Sequence, residues 1–311
     1  MRRFSSPTSV GVWQTFVVMG TIYFVAMMAG AFGYRVPPSD WAPASAVPGH
    51  RALTNEHAAL RREMITTRHV HVDEAWKTPQ FWLLWAVLCL NVSAGIGVIG
   101  MASPMIQEVF GGQLINLPGQ PLKALTEAQK AQLATIGAAF ASLLSLFNIA
   151  GRIGWASLSD YLGRKRTYFM FFALGTVLYA SAPQAGRAGH TGLFVVLFCI
   201  ILTMYGGGFA TIPAYLADIF GTQFVGAIHG RLLTAWSAAG ILGPVLVNYI
   251  REYQIGRGVP AAQAYNVTMY VLAGLLVVGF VCNLAIRPVN ERYYMSDEEL
   301  ARERGLLAAR G

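Results

Sequence analysis

In the stretch NIAGRIGWASLSDYLGRKR, residues 148–166, a single arginine, Arg152, stands among apolar neighbours. About eight residues on, near 12 Å along a helix, come Asp160 and then Gly163-Arg164-Lys165-Arg166. A guanidinium sunk that far into apolar sequence is rare and usually faces a cavity. Its planar fork of donors suits a carboxylate, which it binds through two parallel hydrogen bonds. The plainer alternative is a structural arginine that snorkels to the membrane surface or pairs with a helix end. Asn148 lies one turn before Arg152, so it either shares that cavity or makes an ordinary interhelical hydrogen bond.

Other residue types point to less chemistry. Of fifteen Asp and Glu, only Glu108, Asp160 and Asp218 come near the long apolar runs, and each sits close to a run's end. A proton-coupled carrier usually needs a carboxylate or histidine in mid-membrane, so exchange or uniport is favoured over proton symport. His69, His71, Asp73 and Glu74, with His50 and His57 upstream, offer a His-x-His pair but no third ligand at fixed spacing. They read as a solvated connector, and neither a metal nor a cofactor is expected. No nucleophile–base spacing supports hydrolysis, so the chain is not expected to be an enzyme. The glycine-rich GGGFATIP, 206–213, lacks the Gly-Lys-Ser/Thr ending of a phosphate cradle and suits close helix packing, as does GILGP, 240–244.

The elements that must hold these residues are membrane helices. The 311 residues are 55% hydrophobic and only 12% charged, against about 25% charged in a soluble domain, and mean hydropathy is +0.47. Seven apolar runs of spanning length follow one another: about 11–34, 80–107, 133–158, 167–184, 192–217, 224–250 and 265–287. The fourth is the shortest. Alternating ten-residue strands are absent, so the spans are helices rather than a barrel. Cys89, Cys199 and Cys282 fall inside the runs as small buried residues. Residues 35–79 form a polar connector with one short helix expected near 54–65. A second connector, 108–132, ends with Thr126 and Gln129 spaced for a capping box.

The net charge of +8 does not indicate nucleic acid, because the basic residues lie in short connectors. Fifteen Lys and Arg fall on the side of the 35–79 connector and seven on the other. By the positive-inside rule this puts the connector and the C-terminus in the cytoplasm, with a bacterial inner membrane the expected location. Arg2 and Arg3 would then lie outside, which suggests further sequence upstream.

The turn SDYLGRKR resembles the signature loop of the major facilitator superfamily, Gly-x-Leu-x-Asp-Arg-x-Gly-Arg-Arg. The match covers Leu158, Asp160, Gly163, Arg164 and Lys165. It departs at Ala156, where the family usually has Gly, and at Tyr161, where it usually has a basic residue. Those departures suit the looser copy that follows the eighth helix. Within the superfamily, VWQTFVVMGTIYF with GAFGYRVPP resembles the sixth helix of the oxalate–formate antiporter family. TPQFWLLWAVLCLNVSAGIGVIGMASPMIQEVFG resembles the seventh, YGGGFATIPAYLADIFGT the tenth, and GAIHGRLLTAWSAAGILGPVLV the eleventh.

The resemblance implies an all-α polytopic membrane protein: the second six-helix bundle of a facilitator fold plus one preceding helix. Residues 1–34 would be that helix, 35–79 a cytoplasmic linker, 80–287 the bundle and 288–311 a cytoplasmic tail. Five spans of the twelve would be missing, pointing to a truncated frame, a fragment, or a chain needing a partner half. The implied activity is alternating-access transport of a small organic anion. In the family an eighth-helix arginine lines the anion path, and Arg152 matches it. The family's oxalate carrier has a lysine on its eleventh helix, and the comparable position here is Trp236, which favours a monocarboxylate. Tyr205 and Trp236 would wall the cavity, or else serve helix packing or interface anchoring. A non-transporting remnant or an interaction subunit is the competing expectation.

Overall fold

The computed structural model describes residues 11–33, 64–120 and 122–308. The chain divides into two compact units, Met1–Asn55 and Glu56–Gly311. In the first, α1 (Val12–Gly33) is an apolar helix whose Thr21 hydroxyl donates to its own Val17 carbonyl at 2.8 Å. That bond satisfies the Thr21 hydroxyl within its own helix, as an apolar medium requires. The short helix expected near 54–65 falls almost wholly outside the described residues.

The second unit opens with the single turn α2 (Val72–Ala75) and α3 (Pro79–Phe110). Thr78 caps α3, accepting from Phe81 N at 3.3 Å, and Pro79 takes the first-turn position where its missing N–H is harmless. Then follow α4 (Glu127–Leu162), α5 (Arg164–Arg187), α6 (Thr191–Phe220), α7 (Val225–Leu232), α8 (Thr234–Gly256), α9 (Asn266–Ala285) and a tail helix, α10 (Asp297–Ala308). Among the described residues the regular elements are all helices, with one isolated bridge between Val70 and Tyr294. The capping box forms at α4: Thr126 Oγ1 accepts from Gln129 N at 3.3 Å and Gln129 Oε1 accepts from Thr126 N at 2.9 Å.

Six stretches among the described residues are long and apolar enough to cross a bilayer: Trp13–Gly33, Pro79–Ile115, Glu127–Leu162, Thr191–Phe220, Val225–Gly256 and Ala261–Ala285. Six of the seven expected runs therefore meet that test. The seventh, 167–184, forms the 24-residue α5 but carries too many polar groups to meet it. Its Thr176 and Ser181 hydroxyls each donate back to a helix carbonyl at 2.7 Å. Its buried Tyr168 and Tyr179 donate to Gly208 O and Ala94 O at 2.5 and 2.8 Å. The polar atoms are thus satisfied inside the bundle.

The expected run 224–250 meets the test as one stretch, Val225–Gly256, with an interruption inside it. It is apolar throughout, yet the backbone breaks at Leu233, and the second piece continues to Gly256. Thr234 turns its hydroxyl onto Arg231 O at 2.8 Å, a side-chain-to-backbone bond of the kind that bends helices.

Packing follows the rule for helices in lipid, where apolar side chains gain little from one another and close backbone approach matters more. The main pairs are α4 on α6, α3 on α8, and α9 on α5. At the α3–α8 crossing, Gly97 and Gly243 face each other's backbone, so a Cβ at either would clash. The most enclosed helix is α3, with Leu84, Val87, Leu88, Val92 and Ala102 fully buried. Cys89 and Cys199 are buried free thiols and Cys282 is half-buried.

Candidate functional site

Arg152 lies on an exposed face of α4, eight residues before Asp160. Its Nε donates to the buried Asn148 Oδ1 at 3.3 Å. The bond runs within α4 rather than between helices, and it places Asn148 beside Arg152. The guanidinium carbon stands 5.4 Å from the Phe209 ring centre, within cation–π range. Phe209 packs on Trp236 at 5.1 Å between ring centres. Tyr205 interacts with Trp236 and with the charge of Arg152. Asn148, Arg152, Tyr205 and Trp236, drawn from three helices, therefore converge on one patch.

Glycines make the convergence possible. Where α4 meets α6, Gly151 faces the backbone of Thr203 and Gly206 faces the backbone of Asn148. A Cβ at either position would force the helices apart and separate Arg152 from Phe209. Trp155 Nε1 locks the same crossing by donating to Thr203 Oγ1 at 3.1 Å. Gly206 and its neighbours thus serve packing. Pro213 sits inside an unbroken α6.

No Asp or Glu among the described residues pairs with Arg152; the ion pairs present involve other cations. Among the described residues the guanidinium meets one amide oxygen and one aromatic ring, and its planar fork of donors is of the kind that can bind a carboxylate. Trp236, 41% exposed, and the intermediate Tyr205 add apolar walls with donor groups at their tips. Phe209 was not singled out by sequence. Its signal is the spacing from Tyr205, four residues on one helix face.

The signature-loop residues form a separate cluster at one end of the bundle. Gly163 has φ +87°, a conformation other residues rarely adopt, and turns α4 directly into α5. Arg164 Nη2 pairs with Asp160 Oδ1 at 2.5 Å, its Nη1 donates to Ser159 O at 3.1 Å, and its Nε lies 3.8 Å from Asp218 Oδ2. Asp160 thus finds the basic partner that its place at a helix C-terminus calls for. Lys165 Nζ donates to Leu284 O and Ile286 O at 3.1 and 2.6 Å, capping the end of α9. This loop ties the ends of α4, α5, α6 and α9 together and does not touch the Arg152 patch.

The histidine segment is structural. His71 Nδ1 accepts from Asp73 N at 3.2 Å, capping α2, and its ring meets Phe224 edge-on at 5.0 Å. His69 Nδ1 accepts from Gln223 N at 3.4 Å. Among the described residues no three His, Cys, Asp or Glu side chains converge as metal ligands; His50 and His57 lie outside them. Asp73 instead pairs with Arg231 at 2.6 Å. That guanidinium holds the Asp73 carboxyl below the ordinary carboxylate range.

One residue assigned from sequence to the outer side changes character. Arg251, expected in a loop, lies inside α8. Its Nη2 pairs closely with Glu108 Oε1, while its Nε donates to Glu108 Oε2 at 2.9 Å and to Tyr265 Oη at 3.0 Å. The Tyr265 hydroxyl donates to Glu108 Oε2 at 2.9 Å. That bonding lets the helix carry a charge past the expected end of the run.

Comparison with known proteins agrees with this architecture. The family profile described as Major Facilitator Superfamily matches residues 115–309. The chain is 26% identical over 298 residues to an oxalate:formate antiporter of Oxalobacter formigenes, covering 94% of this chain and 59% of that protein. It is 30% identical over 246 residues to apicoplast pyruvate carrier 1 of Toxoplasma gondii, covering 73% of this chain and 40% of that one. A putative tartrate transporter of Agrobacterium vitis is 22% identical over 204 residues, 65% of this chain and 38% of that one. The chain thus spans at most about six-tenths of the length of these relatives. With apolar helices of spanning length and a profile match over most of its length, this chain is a multi-pass membrane protein that belongs to the Major Facilitator Superfamily.

Proposed function

We propose that the chain forms the second bundle of a carrier for a small organic anion, with Arg152 as the carboxylate-binding cation. The observation that carries the reading is a guanidinium on an exposed helix face, held by Asn148 and Phe209 with no acid partner among the described residues. The three relatives above are named for oxalate and formate, pyruvate and tartrate, all carboxylates. Trp236 packs beside Phe209, and an aromatic wall with one cation suits a monocarboxylate better than a dianion.

In this reading the exposed face of α4 and α8 lines the anion path and is completed by a first six-helix bundle. That bundle is supplied upstream in the same polypeptide or by a partner half. The two bundles rock about the site in alternating access, and the signature loop, connector and tail face the cytoplasm. The second reading is a half-carrier that works only with a separate partner half.

The test is uptake of labelled formate, pyruvate and oxalate into proteoliposomes, with and without a co-expressed first half from the antiporter relative. Saturable monocarboxylate uptake that Arg152→Ala abolishes is expected. Uptake that survives Arg152→Ala unchanged overturns the site. Uptake only with the added half selects the second reading.

A further inference from the structure

At the end of the bundle that carries the signature loop, residues 64–78 and 286–296 form a cap. Thr66 N donates to Asp218 O and Val70 N to Phe220 O, both at 2.9 Å, fixing the cap to the end of α6. Met295 N donates to His69 O at 2.9 Å, and Arg68 stacks 4.7 Å over Tyr294, joining the tail to the same segment.

The short helix α7 hangs beside this cap. Eight residues are too few for a helix stable by itself, and only Ile228 and Leu232 are buried along it. Its C-terminal side ends at the Leu233 break. Beyond the break the chain is anchored separately, because Trp85 Nε1 of α3 donates to Thr234 Oγ1 at 3.0 Å. Before the break the hold comes from the cap. Arg231 Nη1 donates to Val72 O at 2.8 Å and Nη2 to Asp73 Oδ1 at 2.6 Å. Next to the break lies an open cavity of about 370 Å³, lined by Asp73, Trp76, Phe81, Trp82, Arg231 and Thr234. The break therefore has one side pinned to α3, one side held by a releasable ion pair, and space to move into.

We infer that Arg231 is the bolt of a latch: gripped by Asp73 and Val72 it fixes α7 to the cap, and released it lets α7 pivot at Leu233 while α8 stays in place. The latch is a property of the bundle itself and stands whether or not the chain carries an anion.

The test is hydrogen–deuterium exchange with mass spectrometry on the full 311-residue chain in detergent. Asp73→Asn keeps the side-chain shape and removes the charge. It is expected to speed exchange across residues 225–234 by roughly two- to fivefold, as suits an exposed charge pair. Glu74→Gln is the control, since Glu74 pairs with Lys77 at 2.6 Å and does not reach α7. Its exchange there is expected to match the unsubstituted chain. The latch is overturned if Asp73→Asn leaves 225–234 unchanged, or if Glu74→Gln loosens it equally. Should Asp73→Asn fail to fold, the exchanged pair Asp73→Arg with Arg231→Asp decides. Slow exchange in 225–234 supports the latch, and fast exchange overturns it.

Discussion

Two arginines lie inside long helices and are held in opposite ways. Arg251 is enclosed, with its side chain 17% exposed, and it meets Glu108, Glu252 and the hydroxyl of Tyr265. Arg152 stands on an exposed face with one amide oxygen and one aromatic ring. Removing a charge from water is costly, so a cation in an apolar setting is either neutralised by the fold or kept for a ligand. The bundle does the first at Arg251, and in the reading proposed above Arg152 is the second. Burial alone would rank Arg251 as the special residue, but the count of partners separates structure from binding.

The largest expected effect breaks this comparison where it matters most. Arg152→Ala removes the charge-assisted bonds to the carboxylate, about 1.5–3 kcal/mol each, so uptake should fall about a hundredfold or more. Thermal stability in detergent should barely change, because no acid partner is left behind. Arg251→Ala should do the reverse. It strands Glu108, 16% exposed, and breaking a buried pair costs about 3 kcal/mol, seen as a lower melting temperature. Equal loss of stability in both variants would erase the distinction.

A sharper form exchanges the residue that limits the site to one cation. Trp236→Lys places a second positive charge close to Arg152 and should shift preference from formate toward oxalate by about tenfold, read as a ratio of uptake rates. A smaller effect is expected at Phe209. Phe209→Leu keeps the apolar wall but removes the ring face, worth about 0.5–1 kcal/mol for an exposed cation. The half-saturation concentration should rise roughly threefold. No change in that concentration would show that the ring only packs against Trp236.

How far the sequence announced these features depends on whether they are local. The Thr126–Gln129 box, the Asn148–Arg152 pair and the Asp160–Arg164 pair are set by spacings of three and four residues, and each formed. Features built from distant residues were invisible. Glu108 and Arg251 are 143 residues apart, and Asp73 and Arg231 are 158 apart. The break at Leu233 was hidden for another reason: apolarity runs unbroken across it, and only the Thr234 hydroxyl bond marks it. The span 167–184 read as weak because its tyrosines and hydroxyls lower its apolarity, while the fold satisfies those groups internally.

The smallest effect concerns the pair at the other end of the scale from Arg251. Asp73 is exposed and is held below the ordinary carboxylate range first by its hydrogen bond to Arg231, with lesser help from the charges of Arg231, His71 and Lys77. Since the folded value is the lower one, the contribution to stability is complete above the unfolded value of about 3.9. It is lost as pH falls through the folded value. The unsubstituted chain should therefore keep a small advantage over Asp73→Asn from pH 7 down to the ordinary carboxylate value of about 3.9, and lose it as pH falls further through the lowered folded value. Salt should weaken the same advantage, because an exposed pair is screened. Melting curves in detergent for the two proteins across that pH range check the sign. An advantage that survives well below the carboxylate range would mean that the difference between the two proteins does not come from the Asp73 charge.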